Sequence, residues 1–134
     1  RKSFSDWIYG ELLREKKINL FEDIFFTPLY LRDFINLIFK LIAKNKTGIY
    51  NVSGSTRISK YNFGLELGKI FNLDKKLIKK ISINKLNLVK RPRDMSLSNK
   101  KLIKDLNIKE DYFSLNKQLK RMKKDKLLKW NNLI

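Results

Sequence analysis

Apolar residues in this chain change their spacing every ten or so positions, and no other feature constrains the fold as much. Phe4, Trp7, Ile8, Glu11, Leu12 and Glu15 fall at helical spacing, and Ser3 or Ser5 can cap that helix. Ile18, Leu20 and Phe21 then read as a short strand, Glu22 and Asp23 as a turn, and Ile24, Phe25 and Phe26 as a second extended piece. Thr27 and Pro28 suit an N-cap and a first helical position, so the spacing predicts a helix from Leu29 to Lys44, apolar on most faces and deeply buried. Gly48 should end it. Ile49 to Val52 follows as a strand that stops at Ser53, Gly54, Ser55 and Thr56.

The alternation continues to the C-terminus. Ser59 is positioned to cap a helix in which Phe63, Leu67, Ile70 and Phe71 face the core. Gly64 and Gly68 lie one turn apart on it, and each costs about 1 kcal/mol relative to alanine, which close packing would have to offset. Lys79 to Ile83 reads as a strand and Asn84 to Leu88 as a short helical turn. Lys100 to Leu106 is expected to be a helix opened by Ser98 and Asn99, and a last helix runs from Ser114 to about Leu128 with Leu115, Leu119 and Met122 on one face. Helices mixed with a few short strands place the chain in the α/β class. Ile49 to Val52 is apolar on both sides, as in a strand of a larger parallel sheet whose other strands are not here. Such a piece would expose unpaired edges and an apolar patch. Trp7 is expected to be buried.

Composition excludes many kinds of chemistry. The 134 residues fit one domain, and 43% hydrophobic residues are too many for a disordered tail. There is no cysteine for a disulfide, a thiolate nucleophile or a Cys-based zinc site, and no histidine, the commonest general base and metal ligand. The longest apolar stretch, Leu29 to Ala43, is broken by Arg32, Asp33, Asn36 and Lys40, too short and too charged to span a bilayer. No signal peptide is visible, and a soluble, cytoplasmic protein is expected.

The net charge is +18, and it is uneven: residues 1–74 hold 12 basic against 8 acidic side chains, residues 75–134 hold 19 against 5. A surplus of this size can hold nucleic acid by counterion release, which makes a basic nucleic-acid-binding module on residues 75–134 the competing reading. Only seven of the 31 basic residues are arginine, however, and the chain is rich in Asn and Ile with a single alanine, Ala43. Lys, Asn and Ile share A/T-rich codons, so base composition alone would enrich lysine on a solvated surface. Arginine is the better phosphate reader.

Two of those arginines flank a proline in the run Lys90, Arg91, Pro92, Arg93, Asp94, Met95, Ser96, Leu97. Pro92 fixes its own φ and biases Arg91 away from helix, so both guanidiniums can project from an extended loop toward a phosphate. Gly54 to Thr56 after a strand is open to two readings, a backbone cradle for phosphate or a tight turn. Asp33 sits near a helix start, where the dipole favours an acid.

In order, Trp7, Phe25 to Asp33, Gly48 to Gly54, Ser59 to Phe63 and Arg91 to Leu97 closely resemble the C-terminal part of the dTDP-4-dehydrorhamnose reductases and, more broadly, extended short-chain dehydrogenases acting on sugar nucleotides. The resemblance covers nearly the whole chain and implies a mixed α/β substrate-binding domain, residues 1–134, without its Rossmann core. In the complete enzyme it implies that NADPH or NADH delivers hydride to a 4-keto sugar on dTDP, in cell-surface polysaccharide biosynthesis. It also implies an arginine of the loop matching Arg91 to Asp94 on the diphosphate, Arg91 first and Arg93 second. Where some relatives place another arginine, this chain has Phe26 and Thr27, which would line the nucleotide pocket.

Two family features are missing. The five glycines, Gly10, Gly48, Gly54, Gly64 and Gly68, form no dinucleotide fingerprint, and no tyrosine stands four residues before a lysine. The chain also begins at Arg1 without methionine. The expectation is a fragment that binds no cofactor, catalyses nothing alone, and has as partners a dTDP-sugar and the absent dinucleotide-binding half, with room for a homodimer. A non-catalytic remnant of a sugar-nucleotide epimerase or dehydratase is the remaining alternative.

Overall fold

A computed structural model describes residues 3–86 and 92–131, with side chains through residue 126. In chain order the elements are α1 (Phe4–Leu13), β1 (Ile18–Phe21), β2 (Phe25–Phe26), α2 (Leu31–Ala43), β3 (Ile58–Ser59), α3 (Lys60–Phe71), β4 (Ile78–Ile81), β5 (Asp94–Met95), α4 (Lys100–Leu106) and α5 (Leu115–Asn131). Short 3-10 turns occupy Lys75–Leu77, Ile83–Lys85 and Glu110–Phe113. The class is the expected α/β. The chain divides into two compact units, one of residues 1–26 and 58–95, the other of residues 27–57 and 96–134.

The first unit is built on two small sheets. β1 and β4 run parallel with Ile18 opposite Ile78 and Phe21 opposite Ile81, and α1 and α3 pack on them. Ser3 caps α1 by accepting from the Asp6 N–H, and Ile8 and Leu12 are the buried positions of its stripe. Trp7 departs from expectation: it is 38% exposed and stacks on Phe4 at 6.1 Å, at the rim of the apolar stripe. Ser59 caps α3 through the Asn62 N–H, and Phe63 and Leu67 are buried. Gly64 is required by close packing, since a Cβ there would lie 2.3 Å from Leu20 Cδ1. In the second sheet β2 is central, antiparallel to β3 and parallel to β5, with Phe25 opposite Ser59 and Asp94. The 3-10 turn at Ile83–Lys85 falls within the expected helical turn, whose last two residues lie outside the described ones.

The second unit is helical. Leu37 and Leu41 of α2, Leu102 and Leu106 of α4, and Phe113 form its core, with Tyr50 and Val52 against it. As expected, α4 spans Lys100–Leu106, and Leu115, Leu119 and Met122 of α5 are buried together. Three expectations for residues 27–52 fail. Helix α2 begins at Leu31 with Tyr30 as N-cap, not at Pro28, because the Thr27 hydroxyl is engaged by the Leu97 N–H at 3.1 Å. The helix ends before Gly48: Asn45 adopts φ +48°, and the Lys46 N–H returns to the Leu41 carbonyl at 3.0 Å, a Schellman-type stop. Finally, α2 is not deeply buried, because only Asp33, Leu37 and Leu41 are covered. Ile49 to Val52 takes no regular secondary structure and joins neither sheet, so the expected strand is not formed among the described residues.

Candidate functional site

The described part of the arginine loop begins at Pro92. Parallel pairing of β5 with β2 fixes it, together with a 2.7 Å hydrogen bond from the Phe25 N–H to the Arg93 carbonyl. Arg93 is exposed, and its Nη2 donates to the Asn84 Oδ1 at 2.5 Å. Asn84 is itself held in the 3-10 turn that Ser82 opens, its N–H reaching the Ser82 Oγ at 3.2 Å. The Ser82 hydroxyl donates to Asp23 at 2.6 Å, and the Ile83 N–H donates to the same carboxylate at 3.0 and 3.2 Å. The Asp23 carboxyl is therefore held below the usual carboxylate range, first by the Ser82 hydroxyl, against the opposing effect of burial. The Ile83 N–H and the positive charge of Arg93 add to it. The result is an exposed guanidinium steadied by a neutral amide. Arg14, Arg32 and Arg121 instead bond carboxylates directly, on Glu11, Asp125 and Asp33.

The four residues singled out from sequence fall in different places. Arg91 lies outside the described residues. Arg93 and Phe26 are both in the first unit, Arg93 directly before β5 and Phe26 on the neighbouring β2, opposite Met95. Phe26 is half-buried in an aromatic cluster, edge-on to Phe63 at 5.4 Å and to Phe4 at 6.1 Å, which gives it a packing role. Thr27 belongs to the second unit, where it holds the backbone of Leu97.

The second unit contains polar positions that the sequence did not disclose. Gln118 is buried on α5, accepts from the Tyr30 N–H at 2.7 Å, and donates to the carbonyls of Phe113 at 2.6 Å and Pro28 at 3.3 Å. It thus anchors the segment that carries Thr27. Asp33, only 2% exposed, takes two bonds from Arg121, at 2.6 and 3.1 Å, consistent with a structural acid in the first turn of a helix. Arg121 also stacks over the Tyr112 ring at 4.4 Å. A cleft of about 180 Å³ beside Asp33 and Lys40 is smaller than the roughly 300 Å³ at which small-molecule pockets begin. At Gly54 the close-turn reading wins over a phosphate cradle: a Cβ would lie 2.0 Å from the Pro28 carbonyl oxygen, and the Ser55 N–H is taken by Phe113 at 3.2 Å. Tyr30 donates to Asp125 at 2.8 Å, and its phenol is pushed up to about 12 by burial and then by that carboxylate.

No group of three or more potential metal ligands occurs among the described residues, and no described helix is long and apolar enough to cross a membrane.

This mixed α/β fold is shared with enzymes that modify sugar nucleotides. The dTDP-4-dehydrorhamnose reductase of Bacillus anthracis, solved in complex with NADP, superposes with a TM-score of 0.78 at 19% identity, covering 90% of this chain and 42% of that one. The dTDP-4-dehydrorhamnose reductase of Clostridium acetobutylicum gives 0.77 at 17%, again 90% against 42%. A dTDP-glucose 4,6-dehydratase of Bacillus anthracis, in complex with NAD, gives 0.65 at 15%, covering 91% of this chain and 39% of that one. The chain belongs to the RmlD substrate binding domain family, whose model matches residues 1–126. It spans about two fifths of the length of these solved structures. No curated protein sequence matches it.

Proposed function

We propose that this chain is the substrate-binding portion of an NAD(P)-dependent sugar-nucleotide reductase. It would hold the diphosphate of a dTDP-linked 4-keto-6-deoxy sugar through Arg93 and Arg91. The observation that carries the reading is the presentation of Arg93: exposed, directly before the strand β5 that pairs with β2, and oriented by a neutral amide acceptor. A guanidinium has five N–H donors in a planar fork, so the bond to Asn84 leaves donors suited to a bidentate grip on phosphate.

The chain's own residues would bind and orient. Arg93 and Arg91 neutralise the diphosphate, Thr27 holds the backbone at Leu97, and Gln118 holds the segment containing Thr27. Hydride transfer would rest on NADPH or NADH bound elsewhere, because the glycines present here do not make a dinucleotide fingerprint. The nucleic-acid reading is weaker, since only seven of the 31 basic residues are arginine, the better phosphate reader.

Isothermal titration of the chain with dTDP tests the proposal. Each charge-assisted phosphate contact is worth about 1.5–3 kcal/mol, so Arg93→Ala and Arg91→Ala should each weaken binding by roughly ten- to a hundredfold. Unaltered affinity in both variants, or no binding by the parent chain, contradicts it.

A further inference from the structure

The parallel strands β1 and β4 stop side by side, Phe21 opposite Ile81, and the Glu22 N–H continues the pairing onto the Ile81 carbonyl at 3.1 Å. The segments leaving these two strand ends carry Asp23 and Ser82. Asp23 clamps one segment to the other, accepting from the Ser82 hydroxyl at 2.6 Å and from the Ile83 N–H at 3.0 and 3.2 Å. The same Ser82 Oγ accepts from the Asn84 N–H at 3.2 Å, so the clamp also fixes the turn that presents the Asn84 amide.

Arg93 is held from two directions. Its carbonyl accepts from the Phe25 N–H at 2.7 Å, two residues beyond Asp23, and its Nη2 donates to the Asn84 Oδ1 at 2.5 Å. Backbone and guanidinium therefore both refer to the short segment Asp23–Phe25, the first directly and the second through Ser82 and Asn84. An arginine that is free to rotate loses rotamer entropy when it grips a ligand, and one already held loses less.

The acceptor is an amide, although a carboxylate would bond the guanidinium more strongly. A carboxylate at that place would cancel the charge of Arg93 and compete with an anionic ligand for the same donors. Asp23, the carboxylate of this relay, bonds Ser82 and Ile83 instead.

We propose that Asn84 is the positioning residue of the diphosphate grip: held by Ser82 and Asp23, it aims the Arg93 guanidinium and leaves its positive charge whole for the ligand. The proposal rests on the functional reading above, in which Arg93 meets the diphosphate.

The test compares Asn84→Ala, Asn84→Asp and Ser82→Ala, with Ser82→Thr as the conservative counterpart. Asn84 is exposed and enters the turn through its backbone N–H, so its two variants keep the fold, which far-UV circular dichroism and a thermal melt verify. In titrations with dTDP, Asn84→Ala should weaken binding about three- to tenfold, the worth of one neutral hydrogen bond. Asn84→Asp suits a turn equally well, yet should weaken binding about tenfold or more by pairing with Arg93. Ser82→Ala should follow Asn84→Ala, and Ser82→Thr should restore the parent affinity. In an Arg93→Met background Asn84→Ala should change the affinity by less than about twofold, since a positioning residue then has nothing to act through. In the ligand-free chain, 15N relaxation of the Arg93 Nε–Hε bond should show order that is lost in Asn84→Ala and kept in Asn84→Asp. An Arg93 equally ordered without the amide overturns the proposal, as does dTDP affinity that depends on Arg93 but ignores both Asn84 variants, or an Asn84→Ala effect that survives in the Arg93→Met background. Should the parent chain bind no dTDP, or bind it without regard to Arg93 and Arg91, the functional reading falls, and the order of Arg93 in the ligand-free chain decides the positioning by Asn84 on its own.

Discussion

In the first unit the rings of Phe4, Phe26 and Phe63 meet one another at centroid distances of 5.4 to 6.1 Å, so the aromatic residues bury each other. In the second unit Leu31, Phe39 and Ile42 of a single helix face away from the core that Leu37 and Leu41 build. Local residues close most of the first unit's apolar surface, while the second leaves one face of α2 exposed. The contrast teaches that apolar content alone does not make a core: the same residue types are buried where a partner side chain lies within the unit and stay exposed where none does.

Substitutions should separate the two cases by size. Phe63→Ala removes a buried ring from the centre of the aromatic cluster and should cost about 3–5 kcal/mol in chemical denaturation. A loss under about 1 kcal/mol would show that the cluster is loosely packed. Next in size, Arg121→Met leaves the Asp33 carboxylate buried without its cation, and a loss of about 3 kcal/mol is expected in the same measurement. Gln118→Leu removes the acceptor for the Tyr30 N–H and should cost about 1–3 kcal/mol, with faster exchange of that amide as its signature. Phe39→Ser, on the open face of α2, should change stability by less than about 0.5 kcal/mol. If Phe39→Ser costs as much as Phe63→Ala, the contrast between the units is wrong.

Titration sharpens the same comparison. The Asp23 carboxyl lies below the ordinary 3.8 in the folded state, so the stability it contributes is fully present above that value and is lost as pH falls below it. Asp23→Asn should therefore flatten the acid limb of stability against pH. Tyr30 works in the opposite direction. Its phenol ionises at about 12 when folded and near 10.0 when unfolded, so the folded state loses stability as pH rises from about 10 toward 12. Tyr30→Phe should abolish that alkaline loss in equilibrium unfolding.

The periodic elements were legible because a stripe of apolar residues needs only local geometry: Ile8 and Leu12, Phe63 and Leu67, and Leu115, Leu119 and Met122 are buried as their spacing implies. Caps with a short hydroxyl, Ser3 and Ser59, were legible for the same reason. Helix α2 is less buried than its apolar content implies, because spacing tells that a face is apolar, not whether anything covers it. Its N-terminus was misplaced because the Thr27 hydroxyl is claimed by Leu97, a residue 70 positions away. The partners of Asp33 and Tyr30 on α5 are 88 or more positions distant and leave no local trace. The pairing of two arginines about Pro92 is visible in the sequence, whereas the amide support of Arg93 by Asn84 needs the fold.

The central claim is that Arg93 holds the diphosphate of a sugar nucleotide, and the guanidinium itself reports on it most directly. In a titration of 15N-arginine-labelled chain with dTDP, the account predicts a saturable shift of the Arg93 Nε–Hε resonance, with Arg32 and Arg121, already bound to carboxylates, left in place. An Arg93 resonance that stays fixed while dTDP is bound would contradict it.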